Sequence, residues 1–230
     1  MTDYEAVLER IRRTSVYNVS VASETGPVLV IDDFLTADEC TRIIELAHAQ
    51  GLERSTVVGG ETEGGSFKRE LSDVRTSSNT WCMEPCYSDP LIMELDARIA
   101  AMVGVPSRLY SEHFQMLHYA PGQYYHEHSD HIDSFFHTPG SFRTFTVFIY
   151  LNDVPAGGET EFVSLGVKVV PKAGRVAIWP NIIRTAAGDI IEHPDTHHRA
   201  LPVKAGEKFA ANKWVHAADF ITPWLNGVAP

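Results

Sequence analysis

No apolar run in this 230-residue chain approaches the roughly 20 residues that a membrane-spanning helix needs, and residues 1–25 hold no leader-like apolar stretch. The expectation is a soluble protein with no membrane partner. Basic residues are also scarce, 19 against 30 acidic ones, for a net charge of −11 and a pI near 5.4. Such a surface repels phosphate backbones unless a basic patch is segregated. The short clusters present, Arg12-Arg13 and Lys68-Arg69, do not make one, so nucleic acid is not expected as a partner. Cysteine is rare too: Cys40, Cys82 and Cys86 form an odd set without C-x-x-C spacing, and read as small buried hydrophobes. That fits a reducing, cytoplasmic setting, with a secretory one left open if a leader is missing from the sequence. Internal repeats and low-complexity tracts are absent. No boundary divides the chain, and residues 1–230 are read as one domain.

What is present falls into two halves. Residues 3–13 read as a helix with Ala6, Val7 and Ile11 on one face. Val28 to Phe34 is a β-rich run. Thr36 and Glu39 spell a capping box for a helix from Ala37 to Gln50, whose stripe is Cys40, Ile43, Ile44 and Ala47, with Gly51 as the stop. Residues 58–72 are Gly-rich and charged, and read as a loop able to close as a lid. Asp89-Pro90 opens a further helix that ends at Gly104. From residue 108 the character changes. Short apolar or alternating runs at 109–118, 122–128, 143–151, 160–163, 167–170, 175–179, 198–203 and 208–216 are separated by Gly- and Pro-bearing turns. Many short strands with frequent turns argue a sandwich or barrel, and an eight-strand jelly roll fits the count. The expected class is α+β, a double-stranded β-helix (jelly roll) at 108–220 with the helices of 1–107 packed on one sheet.

The chemistry gathers in Tyr119 to Asp130, Y-A-P-G-Q-Y-Y-H-E-H-S-D. On a strand, residues i and i+2 share a face, so His128 and Asp130 would stand side by side. His198, from a distant strand, would complete a two-histidine, one-carboxylate set with open positions, the ligand pattern of non-haem Fe(II) oxygenases. His131-Ile132-Asp133 repeats the spacing, and local pattern does not choose between the pairs. A hydrolytic zinc site is also compatible with His/Asp/His. Lys208, ten residues after His198, begins a strand and could hold the far carboxylate of a dicarboxylic co-substrate.

The ordered blocks Arg75-Thr76-Ser77, Tyr119 to Asp130, R-T-F-T-V-F-I-Y-L-N-D-V-P-A-G-G-E-T-E-F from Arg143 to Phe162, Pro171 to Gly174, His198 to Lys208, and Lys213-Trp214-Val215-His216 carry a resemblance. From about Val28 to His216 the chain resembles the prolyl 4-hydroxylase branch of the Fe(II)/2-oxoglutarate dioxygenases. The family's first histidine lies nine residues after the tyrosine opening its block. The resemblance therefore implies His128 rather than His131, and the ligand set His128, Asp130 and His198. It further implies Lys208, Tyr119 and Thr160 as holders of 2-oxoglutarate, and Tyr125, Arg143, Trp214, His216 and Arg75 around a peptidyl proline. Fe(II), 2-oxoglutarate and O2 are the implied cofactors, with ascorbate a further candidate. The implied reaction is hydroxylation of proline in a peptide or protein. Hydroxylation of a free amino acid or small metabolite at the same site stands as the alternative, and a non-catalytic binding module as the rival from another class. One departure is Phe209, where the family has tryptophan. The Ser134-Phe135-Phe136 run and His137 are aromatic candidates for the entrance. Oligomeric state, regiochemistry and physiological target are not written in the sequence.

Overall fold

The computed structural model describes residues 4–14, 18–22, 27–61, 67–132 and 142–225. Its helices are α1 (Tyr4–Thr14), α2 (Ala37–Gln50), α3 (Pro90–Val103) and the short α4 (Ile221–Leu225). The first half carries strands β1 (Asn18–Val21), β2 (Leu29–Asp32), β3 (Glu53–Arg54), β4 (Val57–Glu61), β5 (Phe67–Glu70) and β6 (Ser78–Trp81). The second half continues with β7 (Gln115–Tyr119), β8 (Tyr125–His128), β9 (Arg143–Tyr150), β10 (Ala156–Gly157), β11 (Thr160–Phe162) and β12 (Val167–Val169). It closes with β13 (Val176–Pro180), β14 (Ile182–Arg184), β15 (Ile190–Glu192), β16 (His198–Ala200), β17 (Val203–Ala205) and β18 (Lys208–His216).

Two antiparallel sheets face each other as a jelly roll. The larger runs β1-β2-β13-β9-β18-β7-β6-β3, and the smaller runs β12-β11-β16-β8. All eight of the strands read from the second half of the sequence are present. The first starts late, because Arg108–Tyr110 is a 3-10 turn whose leading Ser107 side chain caps the Leu109 N–H. Strand parity then sorts the side chains. From β9, Phe145, Val147 and Ile149 join Val7 and Ile11 of α1, Ile43 and Ala47 of α2, and Ile92, Leu95 and Ile99 of α3 in one cluster. From the same strand, Phe148 and Tyr150 point the other way, into a second cluster with Leu117, Tyr119, Phe162, Trp179 and Ala210. Every residue of β9 is therefore buried, and the helices cover one face of the large sheet as expected. Each such side chain taken out of water contributes about 1.5–3 kcal/mol before entropy is counted.

Local signals explain where the helices begin and stop. Thr36 accepts from Glu39 N–H while the Glu39 carboxylate takes the Thr36 N–H, a complete capping box. Asp89 caps α3 ahead of Pro90, and Gly104 closes it in the left-handed region at φ 81°. α3 is also tied to the large sheet by a buried ion pair. Lys213 Nζ of β18 lies 2.6 Å from Asp96 Oδ1, the two side chains being 1% and 0% exposed. The same ammonium sits 4.3 Å from the Phe114 ring centroid.

Several sequence expectations need correction. Ala6 is exposed and Ile44 only half-buried, because the buried stripes pass through Val7 and Ile11 and through Cys40, Ile43, Leu46 and Ala47. Residues 58–72 are not a plain loop: β4 and β5 pair as a two-stranded ribbon, and the tip at 62–66 lies outside the described residues. Cys82 and Cys86 are not separate buried thiols. The turn between them brings their Cα atoms to 5.1 Å and they form a disulfide, while Cys40 stays free and buried. Ser134, Phe135, Phe136, His137 and Asp133 fall outside the described residues. No helix among those described is long and apolar enough to cross a membrane.

Candidate active site

β8 and β16 are antiparallel neighbours in the small sheet, in a register that sets His198 opposite His128. Asp130 follows β8 by two residues. His128, Asp130 and His198 thus converge, each offering a ligand atom within 4.8 Å of the others; they form the one such group found among the described residues. His128 Nε2 is 4.0 Å from Asp130 Oδ1, and His198 Nε2 is 3.8 Å from Asp130 Oδ2. Both imidazoles are aimed by backbone. His128 Nδ1 lies 2.8 Å from the His126 carbonyl and His198 Nδ1 3.0 Å from the Thr196 carbonyl. A carbonyl only accepts, so each Nδ1 carries a proton, and each Nε2 is the ring nitrogen turned toward the carboxylate, where a cation would bind. This outer-shell orientation is what a divalent cation requires of histidine. Burial, then the neighbouring His198, hold His128 well below the ordinary imidazole range. Burial works to raise the Asp130 carboxyl, but His198, His128, Arg143 and the Thr146 hydroxyl outweigh it and keep it ionised. Two imidazoles and one carboxylate converging from one side fit a facially bound Fe(II).

Lys208, the first residue of β18, is fully buried, and its neighbour across the ladder is Tyr119 of β7. Its ammonium donates to the Gly158 carbonyl at 2.8 Å. The rings of Tyr119, Phe148 and Tyr150 stand 5.1, 5.1 and 5.4 Å away. Burial pushes the Lys208 pKa down to about 7, against the pull of Glu159. Beside it, the Tyr150 hydroxyl donates to Thr160 Oγ1 at 2.7 Å, which leaves the Thr160 proton available for another acceptor. The Gly157-Gly158 pair makes this corner buildable: a Cβ on Gly157 would lie 2.2 Å from the Pro202 carbonyl.

The remaining predicted residues split into two clusters. Tyr125 stacks on His128, ring centroids 3.6 Å apart, with the Arg75 guanidinium 4.8 Å from its ring centroid. Arg75 is itself buried, donating to Ser77 Oγ at 3.1 Å and to Gln115 Oε1 at 3.3 Å. Arg143, Trp214 and His216 gather instead around Glu112. Arg143 chelates both Glu112 oxygens, His216 Nε2 lies 3.0 Å from Oε1, and the guanidinium lies 3.7 Å from the Trp214 ring centroid. Burial raises Glu112, yet Arg143 and His216 overcome it and draw its pKa down to about 2. This cluster touches the metal-type group where Arg143 Nη1 reaches the Asp130 carbonyl at 3.4 Å.

The sequence reading passed over Glu112, Tyr150, Thr146 and Asn181. Thr146 donates to Asp130 Oδ2 at 2.7 Å and is backed by Asn181 Nδ2 at 3.0 Å. Thr146 and Tyr150 lie inside the Arg143-to-Phe162 block, so their signal was present there. Glu112 sits 31 residues from Arg143 and had no local signal.

Known proteins agree with this geometry. The family profile described as "2OG-Fe(II) oxygenase superfamily" matches residues 114–216. Rat prolyl 4-hydroxylase subunit alpha-3 is 35% identical over 196 residues, covering 82% of this chain. The chain spans only 33% of that subunit's length. Prolyl 4-hydroxylase 2 of Arabidopsis thaliana is 31% identical over 224 residues, covering 88% of this chain and 71% of the plant protein. Among solved structures, the viral collagen prolyl hydroxylase of Paramecium Bursaria Chlorella virus-1, in its 2OG complex, superposes with a TM-score of 0.64 at 27% identity. That match covers 85% of this chain and 99% of the viral one. A Trichoplax adhaerens prolyl hydroxylase shares the fold at a TM-score of 0.57 and 15% identity, over 95% of this chain and 91% of its own. With a double-stranded β-helix, a His/Asp/His convergence and these relatives, the chain belongs to the prolyl 4-hydroxylase family of 2OG-Fe(II) oxygenases.

Proposed function

We propose that this chain is a 2-oxoglutarate-dependent dioxygenase that hydroxylates proline within a peptide or protein. The observation that carries the reading is the pairing of two features on one cluster between the sheets: a convergent His128–Asp130–His198 group, whose His198 packs on Phe162 and Trp179, and a fully buried ammonium at Lys208 among Tyr119, Phe148 and Tyr150. His128 Nε2, Asp130 and His198 Nε2 would hold Fe(II). Lys208 would take the distal carboxylate of 2-oxoglutarate as a charge-assisted hydrogen bond, an anionic acceptor beside the Gly158 carbonyl it already holds. Thr160, its oxygen already occupied by the Tyr150 proton, donates to the same carboxylate, and Tyr119 closes the other side.

With Fe(II), 2-oxoglutarate and O2 bound, the group supplies oxidative decarboxylation to succinate and CO2 coupled to insertion of one oxygen atom into a substrate C–H bond. The chain's own contribution is orientation and dryness. Trp179 and Phe162 pack their rings 4.7 and 5.7 Å from His198 and keep water from its back. Tyr125, stacked on His128 and fixed by Arg75, forms one wall for the substrate ring. Arg143, held rigid by Glu112, and the neighbouring Trp214 and His216 form the opposite wall. A peptide is the favoured substrate because the chain's relatives are named for prolyl hydroxylation, the viral one of collagen.

The test is succinate release and substrate mass across a panel of proline-containing peptides and free proline, with His198→Ala as control. Peptide-stimulated release with a 16 Da gain on proline is expected (one oxygen atom), abolished by His198→Ala. Turnover with free proline alone assigns a metabolite hydroxylase, and no Fe-dependent release from the intact chain assigns a binding module. Running the panel with and without ascorbate decides whether that reductant sustains turnover.

A further inference from the structure

Behind Asp130 and His198 runs a hydrogen-bonded path that leaves the sequence motifs after Thr146. It starts at Asp130 Oδ2, which takes the Thr146 hydroxyl at 2.7 Å, and passes to Asn181 Nδ2 at 3.0 Å. The Asn181 backbone carbonyl accepts the His193 N–H at 3.0 Å. The His193 carbonyl in turn accepts from the Thr196 N–H at 3.3 Å and from the Thr196 hydroxyl at 3.2 Å. The His193 ring also takes part: its Nδ1 accepts from the Asp195 N–H at 3.2 Å and caps the turn Pro194–Thr196. The path ends where the Thr196 carbonyl receives the His198 Nδ1 proton at 3.0 Å.

We propose that His193 is a positioning residue that fixes His198 relative to Asp130: its ring caps the Pro194–Thr196 turn whose Thr196 carbonyl receives the His198 proton, while the bonds to Asn181 and Thr196 are made by its backbone and persist in any His193 variant. This rests on the reading of His128, Asp130 and His198 as a metal site. The residues around His193 suit the task. Pro194 occupies the first position of the turn, where a missing N–H costs nothing and the fixed φ is already right. Thr196 is buried, so its carbonyl has little freedom to find another donor. Burial holds His193 below the ordinary imidazole value, so its Nδ1 keeps the lone pair the cap needs. The bonds within the turn, at 3.2–3.3 Å, are individually weak. Together they decide whether the carbonyl behind His198 faces Nδ1, and hence which ring nitrogen is free for a cation. The outer-shell partner of His198 is the Thr196 carbonyl itself, and loss of such a partner typically costs 10–100-fold in affinity; loosening the turn that aims it costs less.

The experiment titrates Co(II), as a coloured stand-in for Fe(II), into the metal-free full chain. It also records the 15N ring signals of His198 before metal is added. His193→Ala removes one neutral hydrogen bond from the turn, should weaken Co(II) binding by roughly fivefold, and should turn the single His198 tautomer into a mixture. His193→Asn returns an acceptor to the cap and should restore both readouts to near the parent values. Thr196→Val, which deletes only the hydroxyl bond, should move both in the same direction by a smaller amount. It serves as the test if His193→Ala does not fold. Parent affinity and a single tautomer in His193→Ala, or in Thr196→Val where only that variant folds, overturn the proposal alone. Failure of the parent chain to bind Co(II) in a manner abolished by His198→Ala overturns the metal-site reading beneath it.

Discussion

Removing Lys213 without its partner should be among the most damaging single changes in the fold. The 2.6 Å Lys213–Asp96 pair is sealed between α3 and β18, its side chains 1% and 0% exposed. Truncating one member of such a pair leaves an unmatched charge in an apolar core, at a cost of about 3–5 kcal/mol. For a domain of this size each kcal/mol moves the melting temperature by about 2–4 °C, so Lys213→Met should lower Tm by roughly 6–20 °C. Replacing both members by apolar residues of similar volume removes the desolvation cost along with the attraction. The double variant Lys213→Met/Asp96→Leu should therefore regain most of the loss, or exceed the parent by about 1–4 kcal/mol. Asp96→Asn adds a pH signature. Burial lowers the Lys213 pKa from the unfolded 10.5, and loss of the Asp96 charge lowers it further. The unfolded chain then binds more protons than the folded one over the window between the two values. Stability of this variant should rise with pH there. Urea unfolding followed by circular dichroism across the cycle of parent, Lys213→Met, Asp96→Leu and the double variant, with Asp96→Asn alongside, reads all of this. Single-variant costs below about 1 kcal/mol, or a double variant equal to the sum of the singles, would show that the pair does not anchor α3 as argued.

Further outcomes follow from the co-substrate corner. Tyr150→Phe removes the proton that directs Thr160, and a neutral hydrogen bond of about 1 kcal/mol translates to roughly a fivefold rise in KM for 2-oxoglutarate with kcat nearly unchanged; an unchanged KM counts against that role. Lys208, with a pKa near 7 in the free protein, must take up a proton to bind a carboxylate at higher pH. Affinity for 2-oxoglutarate should fall as pH rises above about 7, and calorimetry in buffers of different ionisation enthalpy should show proton uptake; pH-independent affinity from 7 to 9 would refute it. Gly157→Ala puts a Cβ 2.2 Å from the Pro202 carbonyl at a φ of 75°, and should cost about 1–3 kcal/mol, read as a lower urea midpoint. A midpoint equal to the parent's would mean that the corner yields.

How much was legible depended on whether the signal was local. The α2 capping box and the Asp89-Pro90 start were legible because each helix end is decided by four or five adjacent residues. The jelly roll was legible because alternation and turns recur in every strand. The convergence of residues 128, 130 and 198 came through strand spacing and family resemblance together. Spacing alone left His131-Ile132-Asp133 in contention. Glu112 was invisible because its meaning comes from Arg143 and His216, which reach it only after β9 and β18 pair. The Cys82–Cys86 bond was missed because spacing of four says nothing until the turn between them is known. The ribbon of β4 and β5 was missed because its glycines and charges outweighed a weak alternation. His193 belongs to no motif; only the folded turn shows what it caps.

Strand β18 carries two buried lysines on opposite faces, Lys208 toward the rings of Tyr119, Phe148 and Tyr150 and Lys213 toward α3. Five positions separate them, an odd number, so parity alone sends their side chains apart. An insertion or deletion of one codon between them would turn one ammonium to the wrong side of the sheet, whichever end kept its place. Of all the segments in this protein, this one should tolerate changes of residue but not of length, and a deletion scan should find it the least forgiving.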